Sequence, residues 1–420
     1  MDTLIQKIYG IKASTIALMR QAEAALSDRF LLLEKQAEIG QAKVLAAFHE
    51  EGVSERHLLG TTGYGYDDAG RESLERIYAS VFGAESALVR QQFVSGTHAL
   101  AACFYGVLRP GDTLVFATGT PYDTLEEVVG LRGGGDMGSL ADWGVSCRVV
   151  PLLSDGNPDY AALRDAIDDS VKMVSIQRSK GYAWRKSFSV DEIGEIISFV
   201  KEIRSDICCM VDNCYGEFVE DKEPTAVGAD LMAGSLIKNP GGGLAPTGGY
   251  IAGRSDLVEK VACRLTAPGI GGEVGATLDV NRLFYQGLFL APHTVLQSVK
   301  SAVLAAKMLE LAGFDTCPKS DETRHDIIQA IRLGDADKVC AFCQGIQKGS
   351  PIDSQVCPMP WDMPGYESPV IMAAGTFVSG ASIEISADAP IREPYAVYLQ
   401  GGLTYESAKI ALLCAIDGIL

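Results

Sequence analysis

Three segments of the chain carry residue types able to do chemistry together. In VDNCYGEF, the apolar run ICCMV delivers Asp212 to the end of what reads as a buried strand, where a carboxylate can pair with a protonated ring nitrogen. In GSLIKNPGGG, Lys238 falls between a short apolar stretch and a glycine-rich turn, a setting in which an amine is partly desolvated and forms a Schiff base with a carbonyl. In QQFVSGTHAL, small residues open an Ala-rich helical stretch, so Ser95, Gly96 and Thr97 offer amide and hydroxyl hydrogens to a phosphate at a helix N-terminus. A carboxylate, an amine and a phosphate-binding turn are the three fixed contacts of pyridoxal 5'-phosphate. Pairing at the ring nitrogen is what makes that ring an electron sink.

The elements that must position these residues follow from hydrophobic periodicity. Between about 87 and 290, short apolar runs (ALVRQQF, DTLVFAT, CRVVPLL, VKMVSIQ, ICCMVDN, GGYIAG) alternate with helical patterns around 98–108, 121–131, 158–169 and 190–204. That alternation predicts an α/β fold with a mostly parallel sheet covered by helices on both faces. Ligands of such sheets lie beyond the carboxyl ends of the strands, where Asp212 and Ser95 both fall. Residues from about 4 to 50 carry apolar positions at three- and four-residue intervals and read as a helical arm. A Gly-Tyr-rich loop in LLGTTGYGYDDAGRE follows, then an amphipathic helix built on Leu74, Ile77, Tyr78 and Phe82. A helical stretch from Leu288 to Leu311 links to a smaller α+β tail, in which KVCAFCQGI, YESPVIMAAG, ASIEISAD and AVYLQGG read as strands and YESAKIALLCAIDGIL as a final helix. The expected division is an arm over 1–60, a large cofactor-binding domain over 61–290 and a small C-terminal domain over 291–420.

The totals narrow the function classes. The chain has 420 residues, 47% hydrophobic and 21% charged, as expected of a globular protein, and no apolar run long enough to suggest a membrane span. A formal net charge of −18 argues against a nucleic-acid partner, because phosphate backbones attract clusters of Lys and Arg. Eleven cysteines spread through apolar elements suit free thiols in a reducing compartment, so the cytoplasm is expected; the N-terminus lacks the regions of a secretory signal. Cys340 and Cys343 have C-x-x-C spacing, but nothing nearby completes a zinc set, and no metal site is expected. The lysine precedes the glycines of NPGGG, so the nucleotide-binding order G-x-x-x-x-G-K-[ST] is absent, and none of the five histidines lies in a G-x-S-x-G context.

From residue 50 onward the combination GYGYDDAGRE, SGTHA, VDNCYGEF, SLIKNPGGG and PIREPYAVYLQGG resembles the fold-type-I pyridoxal-phosphate enzymes (aspartate aminotransferase-like), within them the Cys/Met-metabolism group, and more narrowly the branch of methionine gamma-lyase or aluminium-resistance proteins. The resemblance implies that Lys238 is the Schiff-base lysine and Asp212 the partner of the pyridine nitrogen. It implies that Ser95, Gly96, Thr97 and Ser235 hold the phosphate, that Tyr122 stacks on the ring, and that Arg392 clamps the substrate carboxylate. In the family a Tyr-x-Arg pair from a neighbouring subunit completes the phosphate site; here the matching residues are Tyr64 and Tyr66, and a tyrosine cannot neutralise a phosphate as a guanidinium can. A homo-oligomer with shared active sites is therefore implied, at least a dimer and typically a tetramer.

Each of these residues also has a plainer reading. A lone Lys238 before glycines is more often a solvated lysine, and a lone Asp212 a strand-end cap. His98 either stacks over the ring or caps its own helix, and Arg178 either reaches cofactor or substrate or makes a salt bridge at the sheet edge. The expected function is a carbon–sulfur lyase acting by β- or γ-elimination on methionine, cystathionine or a cysteine derivative. Lys238, its pKa lowered by burial beside a cationic ring, would move the α-proton, and Tyr122 would protonate the leaving thiolate. The same Lys–Asp frame also suits an aminotransferase or aldolase, or a cofactor-bound stress-response protein without turnover.

Overall fold

The helical pattern of the N-terminal arm breaks where Gly10 takes a positive φ of 73° and again at Leu26, so three helices form: α1 (Asp2–Tyr9), α2 (Ala13–Ala25) and α3 (Ser27–Glu50). These elements come from a computed structural model that describes residues 2–133, 135–363, 366 and 368–420. Only Val44 and Ala47 of α3 are buried, which leaves Leu31, Leu32, Ile39 and Leu45 exposed.

The central alternation then unfolds as expected: α4 (Ala69–Phe82), β1 (Ser86–Arg90), α5 (Gly96–Val107), β2 (Thr113–Phe116), α6 (Asp123–Val129), β3 (Ser146–Val149), α7 (Tyr160–Ala166), β4 (Val171–Gln177), α8 (Val190–Ile203), β5 (Cys208–Asp212), β6 (Leu231–Ser235), β7 (Gly249–Gly253) and α9 (Ser255–Leu265). The strands form one seven-stranded sheet in the order β1-β7-β6-β5-β4-β2-β3. β6, β5, β4, β2 and β3 are parallel, while β7 runs antiparallel to both β6 and β1. Because side chains alternate across a strand, neighbouring residues serve opposite cores. Cys209, Val211, Met232 and Ala252 pack with α4 and α8, whereas Cys208, Met210, Leu231 and Ile251 pack with α5 and α9. Truncating a residue such as Ile193, fully buried on α8, to alanine costs about 2–5 kcal/mol.

α10 (Asn281–Leu311) is one continuous helix of 31 residues, so the expected boundary near 290 falls inside it. Beyond it come β8 (Asp315–Cys317), β9 (Gln329–Arg332), α11 (Ala336–Gly349), β10 (Val370–Ala373), β11 (Ser386–Pro390), β12 (Ala396–Gln400) and α12 (Tyr405–Ile419). The five strands make an antiparallel sheet in the order β10-β11-β12-β9-β8. One expectation fails here: KVCAFCQGI is not a strand but the body of α11. Val339, Phe342, Cys343 and Ile346 recur at helical spacing and are buried, and the Asp335 carboxylate caps the helix by accepting from the amides of Asp337 at 2.8 Å and Lys338 at 3.0 Å. β8 and β9 answer to no strand expected from the sequence. The face of this sheet carrying Ile328, Ala330, Ala396 and Tyr398 meets Tyr182, Trp184 and Tyr215 from the loops beyond the seven-stranded sheet. The cavity described next is lined from both sides of that junction.

Candidate active site

β5 ends on Asp212 and its parallel neighbour β6 ends on Ser235, with Lys238 three residues further on; Asp212 stands opposite Ala233 in the register. Both strand ends open on one cavity of about 650 Å³. Ser95, Gly96 and Thr97, at the start of α5, line the same cavity, as do Tyr122 and, from the far side, Arg392. Five residues read from the sequence itself (Ser95, Gly96, Thr97, Asp212 and Lys238) and three implied by the resemblance (Tyr122, Ser235 and Arg392) thus converge on one space.

The phosphate-binding turn is built by helix geometry. Ser95 caps α5, its hydroxyl accepting from the amide of His98 at 3.1 Å, and the first-turn amides that follow have no intrahelical acceptor. A Cβ placed on Gly96 would stand 3.4 Å from Ser235 Cβ and 3.6 Å from Cys214 Sγ, so the helix end lies close over the ends of β5 and β6. The hydroxyls of Thr97 and Tyr122 are hydrogen-bonded at 3.0 Å.

Among the described residues Lys238 has no direct carboxylate partner, and its Nζ lies 3.9 Å from the centroid of the Tyr215 ring. Tyr215 itself has φ 74°, a left-handed conformation that costs an aromatic residue roughly 1–2 kcal/mol, and its carbonyl is fixed by the amide of Ile327 at 3.2 Å. Burial opposes a charge on Lys238, but the facing Cys214, Tyr215 and Asp212 outweigh it and hold the amine well above its usual pKa. The depressed amine expected from the sequence is therefore not what the protein groups alone produce. Asp212, which accepts from the Cys214 amide at 3.1 Å, is pushed upward by burial against the opposing pull of Lys238. Burial, reinforced by the Asp212 charge, also raises the Tyr122 phenol, which keeps its proton at neutral pH.

Other expected residues lie elsewhere. Tyr64 and Tyr66 are 75% and 59% exposed and are not among the residues lining the cavity of their own chain. Their loop is tied to the approach to Ser95: the carbonyl of Tyr64 accepts from the Gly275 amide, and the side chains of Gln91 and Gln92 donate to Ala276. His98 closes the first turn of α5, its Nδ1 accepting from the Val94 amide at 3.2 Å. Arg178 is fully buried and does not line the cavity; it donates to Asn213 Oδ1 and Glu220 Oε1 at 2.7 Å each, the salt-bridge reading of the two, in a buried ion cluster after β4.

Sequence reasoning missed several lining residues. Cys214 and Tyr215 stood in the quoted VDNCYGEF motif, two and three positions past Asp212, and that adjacency was the available signal. Lys180 also lines the cavity, but its amine is turned away to the carbonyl of Cys317 at 2.9 Å, and burial lowers its pKa. Asp388 and Gln400, on β11 and β12, lie in segments that read only as strands.

A family model for methionine gamma-lyase matches residues 15–420. The uncharacterized protein YnbB of Bacillus subtilis (strain 168) is 54% identical over 400 residues, 95% of each chain. A solved carbon–sulfur lyase involved in aluminum resistance from Clostridium novyi NT is 52% identical, with a TM-score of 0.96 over 100% of this chain and 99% of that one. At 15% identity and a TM-score of 0.60, over 91% of this chain and 96% of the other, the pyridoxal-5'-phosphate-dependent protein YhfS of Escherichia coli shares the fold.

Proposed function

The chain belongs to the methionine gamma-lyase family, and from that premise we propose that it is a pyridoxal-phosphate-dependent carbon–sulfur lyase acting on a sulfur-containing L-amino acid in the cavity between its two sheets. The observation that carries the reading is the convergence of Asp212, Lys238 and the N-terminus of α5 on one cavity. The residues fit the cofactor. The helix start at Gly96 lies at van der Waals range of Ser235 and Cys214, a carboxylate and an amine share the cavity, and a volume of about 650 Å³ suits a cofactor with a small substrate.

When bound, pyridoxal phosphate supplies an electron sink for the charge left at the substrate α-carbon. Lys238 would tether the cofactor, and Asp212 would hold its ring nitrogen protonated. Ser95, Gly96, Thr97 and Ser235 would receive the phosphate, with Tyr64 and Tyr66 reaching it from a neighbouring subunit. Lys238 Nζ then takes the α-proton. With its charge paired to the cofactor, Asp212 would no longer add to the influence of Cys214 and Tyr215 on Lys238 or to that of burial on the Tyr122 phenol, which would bring Lys238 towards a usable base and Tyr122 towards a usable acid. Tyr122 would donate to the departing sulfur, and Arg392 would hold and orient the substrate carboxylate. Methionine, cystathionine and cysteine derivatives are the substrate class, with γ-elimination requiring Lys238 to move a β-proton as well.

The fold-type-I reading divides the chain into an arm over 1–60, a large part over 61–290 and a small part over 291–420, with α10 spanning the last junction. The exposed apolar residues of α3 and of the loop bearing Tyr64 and Tyr66 support a homo-oligomer with shared sites, a dimer or a tetramer. Eleven cysteines, all free thiols, support a reducing compartment, the cytoplasm. The test is a panel of sulfur amino acids offered to the cofactor-loaded protein. Release of thiol together with a keto acid is expected; amino transfer to an added keto acid without thiol release would replace this function with a transaminase.

A further inference from the structure

Three carboxylates in the cavity are not used by the chemistry above, and two of them, Asp123 and Glu126, are paired with Arg132 at 3.0 and 3.1 Å. Asp388 sits in the middle of β11, opposite Tyr398 of β12, and lines the cavity on the side of the five-stranded sheet. Gln400 donates to its Oδ2 at 3.1 Å. Lys238 is the one cation whose charge acts on it among the influences resolved at the site, and in the working enzyme that amine is engaged with the cofactor or the α-proton. The carboxylate stands beside three phenol rings. Tyr182 lies 5.3 Å from Tyr398 and 6.0 Å from Tyr366 between ring centroids, all three line the cavity, and the Asp388 charge acts on both Tyr182 and Tyr366. The Tyr398 hydroxyl is committed to the Tyr182 carbonyl at 2.6 Å, which fixes the two rings relative to one another.

A carboxylate among aromatic faces suits an organic ammonium: the charge pairs with the oxygen while its methylenes and N–H groups lie against the π-systems. An uncharged thioether gains nothing from this setting, since it offers the carboxyl no charge and leaves it with the Gln400 amide alone. Burial holds the Asp388 carboxyl up at about 7, a cost that a cationic substrate group offsets.

We propose that Asp388, braced by Gln400 and walled by Tyr182, Tyr366 and Tyr398, is the specificity determinant of this site and selects sulfur amino acids whose side chain ends in an ammonium group over neutral ones such as methionine. The proposal rests on the carbon–sulfur lyase reading and narrows its substrate class. An amino acid carrying a second amino group beyond the sulfur satisfies it, whether that group belongs to a second amino-acid head or to a simple aminoalkyl chain.

The test separates recognition from elimination. L-Lysine replaces the sulfur of S-(2-aminoethyl)-L-cysteine by a methylene and has no leaving group, and L-norleucine is its uncharged counterpart. Calorimetric titration of cofactor-loaded wild type is expected to give L-lysine roughly tenfold to a hundredfold tighter binding, the worth of one charge-assisted hydrogen bond. In Asp388→Asn the ratio of the two affinities falls towards one. The ratio of kcat/KM for S-(2-aminoethyl)-L-cysteine over S-propyl-L-cysteine falls with it. Equal binding of the two ligands by wild type overturns the proposal without recourse to a variant, and so does an Asp388→Asn protein that loses both substrates by the same factor. If thiol is released from neither substrate while the calorimetric preference persists, the lyase reading fails and the recognition of an ammonium group stands.

Discussion

Two lysines line the cavity, and their surroundings distinguish them. Lys180 gives its amine to a backbone carbonyl, while Lys238 hangs over the Tyr215 ring within reach of the Asp212 charge. Only the second was legible in the sequence, because an apolar strand pattern before Asp212 and glycines after Lys238 are local signals. Asp388 was not legible, since one acid in ASIEISAD looks like any solvent-facing strand residue until another sheet covers it. Asp212→Asn should lower kcat by about 10²–10³-fold, the usual cost of removing one fixed electrostatic partner of developing charge, with substrate binding far less affected. Steady-state kinetics check this, and a kcat within a few-fold of wild type would remove Asp212 from the chemistry. Glu217, beneath the lysine turn, offers a pH test. Burial raises its carboxyl to about 8; Oε1 accepts from the Tyr250 hydroxyl at 2.8 Å, and Oε2 has no partner among the described residues. Its folded pKa lies above the ordinary value, so the folded state keeps a proton that the unfolded chain releases. Its contribution to stability is therefore full at low pH and is lost as pH rises towards about 8, by at most about 1.4 kcal/mol per pH unit. Thermal melts of Glu217→Gln should fall less steeply than wild type between pH 5 and 8, with the variant gaining on wild type at the upper end. Parallel curves would contradict it.

At the scale of elements, strands buried on both faces and the capped helix α5 were readable because apolar continuity and small-residue caps are local. The tail was less so: KVCAFCQGI looks β-rich by composition, yet its apolar residues recur at helical spacing and Asp335 caps it, and that periodicity should have outweighed composition. The position of α10 against the turn after Lys238 could not be read at all. A Cβ at Gly287 of α10 would collide with the Gly241 carbonyl, so the helix passes against the NPGGG turn at backbone contact. Intrinsic propensity alone gives alanine an advantage of about 1 kcal/mol over glycine inside a helix. Gly287→Ala should instead lower the melting temperature by several degrees and weaken pyridoxal-phosphate affinity, because the turn that carries Lys238 must move. A variant that melts higher and binds cofactor normally would show that this contact does not position the lysine.

For the whole molecule, apolar surface is left open on α3 and at Leu59, Tyr64, Tyr66, Val94 and Leu278 near the approach to Ser95, the surface that the proposed homo-oligomer would cover. Sedimentation is expected to give at least twice the mass of one chain, and Tyr64→Ala combined with Tyr66→Ala should weaken cofactor retention without altering Lys238. A monomer that retains cofactor fully would place the phosphate entirely within one chain. In the sequence the expectation of an assembly came from the resemblance of the loop and from the apolar face of the N-terminal arm, since the loop has no periodicity of its own. Which amine meets the cofactor can be read on the full-length protein by loading it with pyridoxal phosphate, reducing with borohydride and mapping the peptides by mass spectrometry. The pyridoxyl label is predicted on the peptide containing Lys238 and absent from the Lys238→Ala protein; a label on Lys180, or no stoichiometric label, would show that Lys238 does not tether the cofactor.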